Sequence, residues 1–233
     1  MSDRRTESSR SSLNLEAYKV GTLPTVYYVP DYVSEAEEGQ ILREIRSSKC
    51  KWTQVSGRRL QNHGGLVHSK GWLIQQALPS WLQRYTERMA REIDVFGDGQ
   101  APNHVLVNSY QPGEGILPHE DGPLYQADVC ILSLGAPAVL RFQRKPADED
   151  SSGEPVEQAS VACLPRSLLI FSDDAYTDCL HGIDAAEVEQ LDDTLMNTQA
   201  TGLKPGDALP RAGERISLTA RRVLKVKKNL LKL

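Results

Sequence analysis

The residues best suited to chemistry in this 233-residue chain sit in two short strings and one strand-like segment. Pro118-His119-Glu120-Asp121-Gly122 sets an imidazole and a carboxylate two residues apart. In an extended segment both project to one face, because strand side chains alternate with period two. Farther along, His181 opens His-Gly-Ile-Asp after the apolar run Leu168 to Phe171 and offers a third ligand. Two imidazoles and one carboxylate on one side of a metal leave positions open for substrate and oxygen, as in non-haem Fe(II) oxygenases. Zinc hydrolases use similar ligands, so the three residues alone leave both chemistries open.

The segment Arg215-Ile-Ser-Leu-Thr-Ala-Arg221 adds a second requirement. As a strand it turns Arg215, Ser217, Thr219 and Arg221 to one face and Ile216, Leu218 and Ala220 to the other. Two arginines facing inward are costly unless an anion meets them, and a dicarboxylate suits the planar guanidinium fork. Asn108 and Tyr110, also two apart, can bring an amide and a phenol to the same anion pocket. A zinc hydrolase makes no use of such a strand.

The elements that must position these groups follow from pattern. Thr25 to Val29 is β-branched and aromatic and stops at Pro30, which predicts a strand. Ser34 with Glu37 forms a capping box ahead of Ile41, Leu42 and Ile45 at helical spacing. Leu82, Tyr85, Met89 and Ile93 predict a second helix behind Pro79. From about residue 103 short β segments dominate: 105–110, 129–134, 139–142, 160–164, 168–171 and 215–223. Their number and their Pro and Gly punctuation favour a sandwich or barrel over a doubly wound sheet. The stretches 145–158 and 184–213 are polar and read as surface inserts, the second with one weak helix through Val188, Leu191 and Leu195. Residues 1–22 read as a disordered tail, 23–228 as one domain and 229–233 as a C-terminal tail.

A net charge of -4 excludes a general polycation, so any nucleic-acid contact is local. Charge is segregated: residues 145–195 hold thirteen acids against Lys145 and Arg166, whereas 214–233 hold seven Lys or Arg against Glu214. No apolar run is long enough to span a bilayer and no secretory leader opens the chain, so no membrane partner is expected. Cys50, Cys130, Cys163 and Cys179 lack paired spacing and read as reduced thiols of a cytoplasmic and nuclear protein, expected as a monomer.

Taken together, Asn108-x-Tyr110, His119-x-Asp121, His181 and Arg215-x-Ser-x-Thr-x-Arg221 stand in an order that resembles the AlkB-type Fe(II)- and 2-oxoglutarate-dependent dioxygenases. The strings Val-Tyr-Tyr-Val-Pro-Asp, Gly-Arg-Arg-Leu-Gln-Asn and Pro-His-Glu-Asp-Gly-Pro-Leu-Tyr are similar to its sixth eukaryotic subfamily. The resemblance covers about residues 23–228. It implies a mainly β (α+β) fold with a double-stranded β-helix (jelly-roll) core and N-terminal helices packed on one sheet. It implies Fe(II) at His119, Asp121 and His181. The cosubstrate 2-oxoglutarate would lie against Asn108, Tyr110, Arg215, Ser217, Thr219 and Arg221, with O2 as the oxidant. The implied activity is oxidative demethylation of alkylated DNA or RNA, with succinate, carbon dioxide and formaldehyde as products. Residues 50–70, with Lys51, Trp52, Arg58, Arg59 and His63, stand where family members carry a nucleotide-recognition lid.

The chain departs from the family pattern in two places. Ser217 replaces the usual Asn on the arginine strand, and Gly122 and Pro123 stand where base-repairing members carry an acid. The alternatives are a nucleic-acid-binding relative with weak or no turnover and a hydroxylase of proteins or small molecules. His63 and His68, flanking Gly64 and Gly65, read as loop histidines, and His104 as a hydrogen-bonded core or rim residue.

Overall fold

The computed structural model describes residues 12–68, 70–145 and 158–227. Strand β1 (Val26–Val29) is the β-branched run stopped by Pro30, and α1 (Glu35–Ser47) follows from the capping box. The Ser34 hydroxyl accepts the Glu37 N–H at 3.2 Å, and the Glu37 carboxylate accepts the Ser34 N–H at 2.8 Å. Two orphan donors of the first turn are thereby satisfied. Strands β2 (Thr53–Val55), β3 (Arg58–His63), β4 (Gly65–His68) and β5 (Trp72–Gln75) lead to α2 (Ser80–Glu92), which buries Leu82, Tyr85 and Met89. The β-rich part runs β6 (His104–Tyr110), β7 (Ile116–His119), β8 (Asp128–Gly135), β9 (Ala138–Arg144), β10 (Gln158–Cys163), β11 (Leu168–Ser172), α3 (Asp173–Thr177) and β12 (Cys179–Ile183). It closes with β13 (Val188–Gln190), α4 (Thr198–Thr201), β14 (Ala208–Pro210), β15 (Arg215–Arg221) and β16 (Val226–Lys227).

Seven strands form the larger sheet, in the order β1-β11-β8-β15-β6-β3-β2, and four form the smaller, β10-β9-β12-β7. The inner faces meet through Tyr28, Ile131, Leu140, Phe142, Leu169 and Phe171. On the outer face of the larger sheet, Val107, Leu132, Ile170 and Leu218 pack under Ile41, Ile45, Leu82 and Met89 of the two long helices. This is the mainly β jelly roll with helices on one sheet that the resemblance implies. Both helices owe their place to that apolar stripe. Truncating fully buried Ile41 to Ala is worth about 2–5 kcal/mol in lost transfer and cavity energy.

Three expectations need correction. Residues 12–22 are not a loose tail: Leu15–Tyr18 forms a 3-10 turn, Leu13 N–H donates to the Glu92 carbonyl at 2.6 Å, and Leu13, Leu15 and Tyr18 pack against the helical layer. Burial of those apolar groups outweighs the polar composition around them. Residues 1–11 of that tail, 146–157 of the first insert and 228–233 lie outside the described residues.

The segment 50–70, where the resemblance places a recognition lid, is built of paired strands. β3 extends the larger sheet beside β6, from Arg59↔Ser109 to His63↔Val105, and β2 pairs with β3. Alternation decides this: Gln61 and His63 are buried on the helical side, where the Gln61 amide donates to the Ile45 carbonyl at 3.3 Å. His63 and His68 therefore lie in strands rather than loops.

The 184–213 insert has no helix through Val188, Leu191 and Leu195. Val188 opens β13, while Leu191 and Leu195 cover Val139 and Ala162 on the outer face of the smaller sheet. Those outward apolar residues need a cover, which the insert provides. Buried Arg211 clamps it by pairing with Glu189 and donating to the Glu114 and Asp184 carbonyls, each at 2.7 Å.

Candidate active site

β7 and β12 are hydrogen-bonded edge to edge with His119 opposite His181, which brings two histidines far apart in sequence side by side. Their ring centroids lie 4.5 Å apart. Asp121 follows β7, and its Oδ2 is 4.0 Å from His181 Nε2. One ligating atom from each of the three residues falls within 4.8 Å of the others, and this is the cluster of that kind among the described residues.

Each donor is prepared for a cation. The His119 Nδ1–H donates to the Leu117 carbonyl at 2.9 Å, which leaves the Nε2 lone pair for the site. Burial pushes the His181 imidazolium down to about 4, so the ring is neutral at pH 7. Asp121 Oδ1 accepts from Arg221 Nη1, whereas its Oδ2 is buried without a partner. A buried carboxylate oxygen with no donor is costly unless an ion meets it. Two imidazoles and that oxygen fit Fe(II).

The inward face of β15 supplies the opposite wall. Arg215, Ser217, Thr219 and Arg221 line one cavity with His119, Asp121 and His181, while Ile216, Leu218 and Ala220 enter the helical core. Asn108 and Tyr110 join the cavity from β6, because Tyr110↔Arg215 and Asn108↔Ser217 are registered neighbours. Apolar Leu106, Ile116, Ile131, Leu140 and Ile183 complete it and lower the local dielectric. Arg215 is 3% exposed; it donates to the Ser133 hydroxyl at 2.9 Å, lies 5.6 Å from the Tyr110 ring, and keeps a buried Nε without a partner. Burial raises the Tyr110 pKa, so its phenol stays a hydrogen-bond donor. Such a wall can receive a carboxylate.

Of the five residues expected to read a substrate, one reaches this cavity. Arg58 lines it and donates from Nε to Asn108 Oδ1 at 3.1 Å. Its neighbour Arg59 points the other way, with its guanidinium 4.6 Å from the Trp52 ring centroid and a 2.9 Å pair to Glu214. Trp52 packs partly buried on the helical core, His63 is buried beside Gln61 at 3.1 Å, and Lys51 is exposed. From Arg58, Ile116, His119 and Ile183 the cavity continues into an open groove of about 1110 Å³, walled by Leu117 and Pro118.

Two supporting residues went unassigned in the sequence. Ser133 holds Arg215. The Tyr125 ring lies 4.2 Å from the Arg221 guanidinium, and its hydroxyl meets His104 Nδ1 at 3.2 Å. His104 Nε2 meets the Asn62 amide oxygen at 2.8 Å, which makes His104 a hydrogen-bonded core residue, as expected. A lone hydroxyl inside the apolar run Val129–Leu134 was the one available signal for Ser133.

Residues 66–221 match the family model described as the 2OG-Fe(II) oxygenase superfamily. A zebrafish (Danio rerio) protein named "Probable RNA/DNA demethylase ALKBH6" is 45% identical over 220 residues, which span 92% of each chain. A second relative, the mimivirus protein L905, is 31% identical over 205 residues, 85% of each chain. Among solved structures, OsALKBH1 superposes with a TM-score of 0.51 at 14% identity, covering 88% of this chain and all of that one, and thus supports the fold. A Burkholderia pseudomallei 2OG-Fe(II) oxygenase family oxidoreductase does so with a TM-score of 0.52 at 15% identity, over 87% of this chain and 89% of its own. The chain belongs to the 2OG-Fe(II) oxygenase superfamily, as an AlkB-type dioxygenase that uses Fe(II), 2-oxoglutarate and O2.

Proposed function

We propose that this dioxygenase demethylates alkylated nucleic acid, with His119, Asp121 and His181 as the iron ligands within one domain spanning 23–228. The observation that carries the site assignment is the unpartnered Asp121 Oδ2 between two imidazoles, at the end of a cavity whose far end is an arginine without a counter-charge. The substrate class rests on the relative at 45% identity whose name is that of an RNA/DNA demethylase.

Bound at these ligands, Fe(II) with O2 and 2-oxoglutarate supplies the oxidising power that hydroxylates an N-methyl group. The chain's own residues do the positioning. Arg215 and Tyr110 hold the distal carboxylate of the cosubstrate, the guanidinium by a charge-assisted pair and the phenol by its proton. Asn108, Ser217 and Thr219 offer an amide and two hydroxyls along the cosubstrate's length. Arg221 fixes Asp121 by one oxygen and leaves the other to the metal. The apolar side walls keep water from the reacting end. Arg58 stands at the passage to the open groove, where a substrate phosphate or base edge would arrive.

The test is stoichiometric. The Fe(II)-loaded chain is given 2-oxoglutarate and a panel of N-methylated DNA and RNA oligonucleotides. Formaldehyde and succinate should appear in equal amounts on at least one of them, and both should vanish in His119→Ala. Succinate release without formaldehyde across the whole panel would remove the demethylase reading.

A further inference from the structure

His119, Asp121 and His181 are not held alike. The two histidines lie in paired strands and are registered opposite each other, so the ladder fixes both imidazoles. Asp121 lies two residues past the end of β7, and residues 120–124 belong to no strand. Where its Oδ2 falls between the two rings therefore depends on what pins that loop.

The far half of the loop is tied to the chain that follows β15: Tyr125 is bridged to Val223, and the Gln126 N–H donates to the Arg222 carbonyl at 2.8 Å. The half that carries Asp121 is reached from another side, by α3. The chain leaves β11 through Asp173, whose φ of 46° is a left-handed conformation uncommon outside glycine, asparagine and aspartate. That turn lays α3 against the loop. The Asp173 N–H donates to the Ala127 carbonyl at 3.1 Å. Three residues later the Tyr176 hydroxyl donates to the Gly122 carbonyl at 2.8 Å, directly after Asp121.

The ring of Tyr176 serves the neighbouring ligand. Its centroid lies 6.5 Å from that of Phe171, and the Phe171 ring lies 5.1 Å from that of His181. Phe142 meets Phe171 edge-on at 5.3 Å and completes this aromatic wall. One side chain thus packs behind the wall that backs His181 and bonds the backbone beside Asp121. Arg221 holds the Asp121 carboxylate by Oδ1, which acts on the side chain, whereas Tyr176 acts on the main chain. A side-chain pair alone leaves the loop free to turn about the Asp121 torsions. A main-chain tie takes that freedom away, as partners behind a metal ligand do when they fix its orientation.

We propose that Tyr176 is a positioning residue of the metal site, which sets Asp121 Oδ2 between His119 and His181 by holding the Gly122 carbonyl. This rests on the assignment of those three residues as the iron ligands and is independent of the substrate. The test uses the full chain, stripped of metal by a chelator and titrated with Co(II) as a stand-in for Fe(II), whose visible absorption reports the ligand set. Tyr176→Phe keeps the ring behind Phe171 and removes only the hydroxyl. It should weaken Co(II) binding about ten-fold, the lower end of what loss of a partner behind a metal ligand costs. Its Co(II) absorption should move toward that of Asp121→Ala, which lacks the carboxylate altogether. A merely structural role would lower the melting temperature of the metal-free chain and leave the Co(II) affinity and absorption of the folded chain as they were. Wild-type Co(II) affinity and absorption in Tyr176→Phe overturn the role of Tyr176 alone. Wild-type Co(II) binding in His119→Ala and Asp121→Ala overturns the ligand assignment with it.

Discussion

Arg215 and Arg221 stand at opposite ends of one strand, on one face, and are 3% and 4% exposed. Each has a buried Nε without a partner. What separates them is counter-charge. Arg221 pairs with the Asp121 carboxylate and lies over the Tyr125 ring. Arg215 has a serine hydroxyl and the neutral Tyr110 ring. A guanidinium buried without an anion is a standing cost to the fold, tolerated where a ligand repays it. The same residue type at the same burial thus has its counter-charge inside the fold at one end, whereas at the other it fits the receptor role proposed above.

The largest effect expected from this contrast is on folding. Arg221→Ala leaves the Asp121 carboxylate, 7% exposed, without its partner, and should lower stability by about 3–5 kcal/mol in urea unfolding of the metal-free chain. Arg215→Ala removes a charge that has no counter-charge among the described residues and should change folding by under about 1 kcal/mol. Its cost should appear instead in 2-oxoglutarate affinity, by about 1.5–3 kcal/mol, or roughly ten- to a hundred-fold by calorimetric titration. Equal losses of stability in the two variants would erase the distinction.

The arginine strand was legible from sequence because both of its faces carry strong and opposite demands, apolar at Ile216, Leu218 and Ala220 and polar at the residues between. The same holds for the capping box, whose two partners lie three residues apart. Other features depend on distant strands. Nothing local tells which of the adjacent Arg58 and Arg59 faces the cavity; the pairing of β3 with β6 decides it. The spacing of Val188, Leu191 and Leu195 suits a helix, but apolar Val139 and Ala162, on the outer face of another sheet, impose an extended cover that buries them. Ser133 and Tyr125 acquire their roles only when β15 arrives beside them.

A weaker difference between the two ends lies in their response to acid. Burial, with Arg221 nearby, pushes the His104 pKa down to about 4, while in the unfolded chain it returns to about 6.5. Between those values the unfolded state holds the extra proton, so this contribution to stability is full above about pH 6.5 and is lost as pH falls toward 4. His104→Gln should flatten the fall in stability across that window. The Arg215 end has no such histidine among its named partners, so Arg215→Ala should leave the slope unchanged. His181, pushed down to the same value, keeps its own share of the slope, so a slope wholly unchanged in His104→Gln would show that His104 does not carry the proton.

The smallest effect concerns Ser217, 2% exposed between the two arginines and registered opposite Asn108 and Ser133. The resemblance places Asn at this point, a longer side chain with an added donor. Ser217→Asn should therefore tighten 2-oxoglutarate binding by about 0.5–1.5 kcal/mol, the net worth of one hydrogen bond, with folding little changed, because the new amide enters the cavity rather than the packed core. The gain should persist in Arg221→Ala if that chain folds, and shrink in Arg215→Ala, where the cosubstrate loses the anchor that holds it against β15. Weaker binding in Ser217→Asn would mean that the cavity is already filled to the serine by Asn108 and Arg58, and that the receptor end is shaped for a shorter wall than its relatives use.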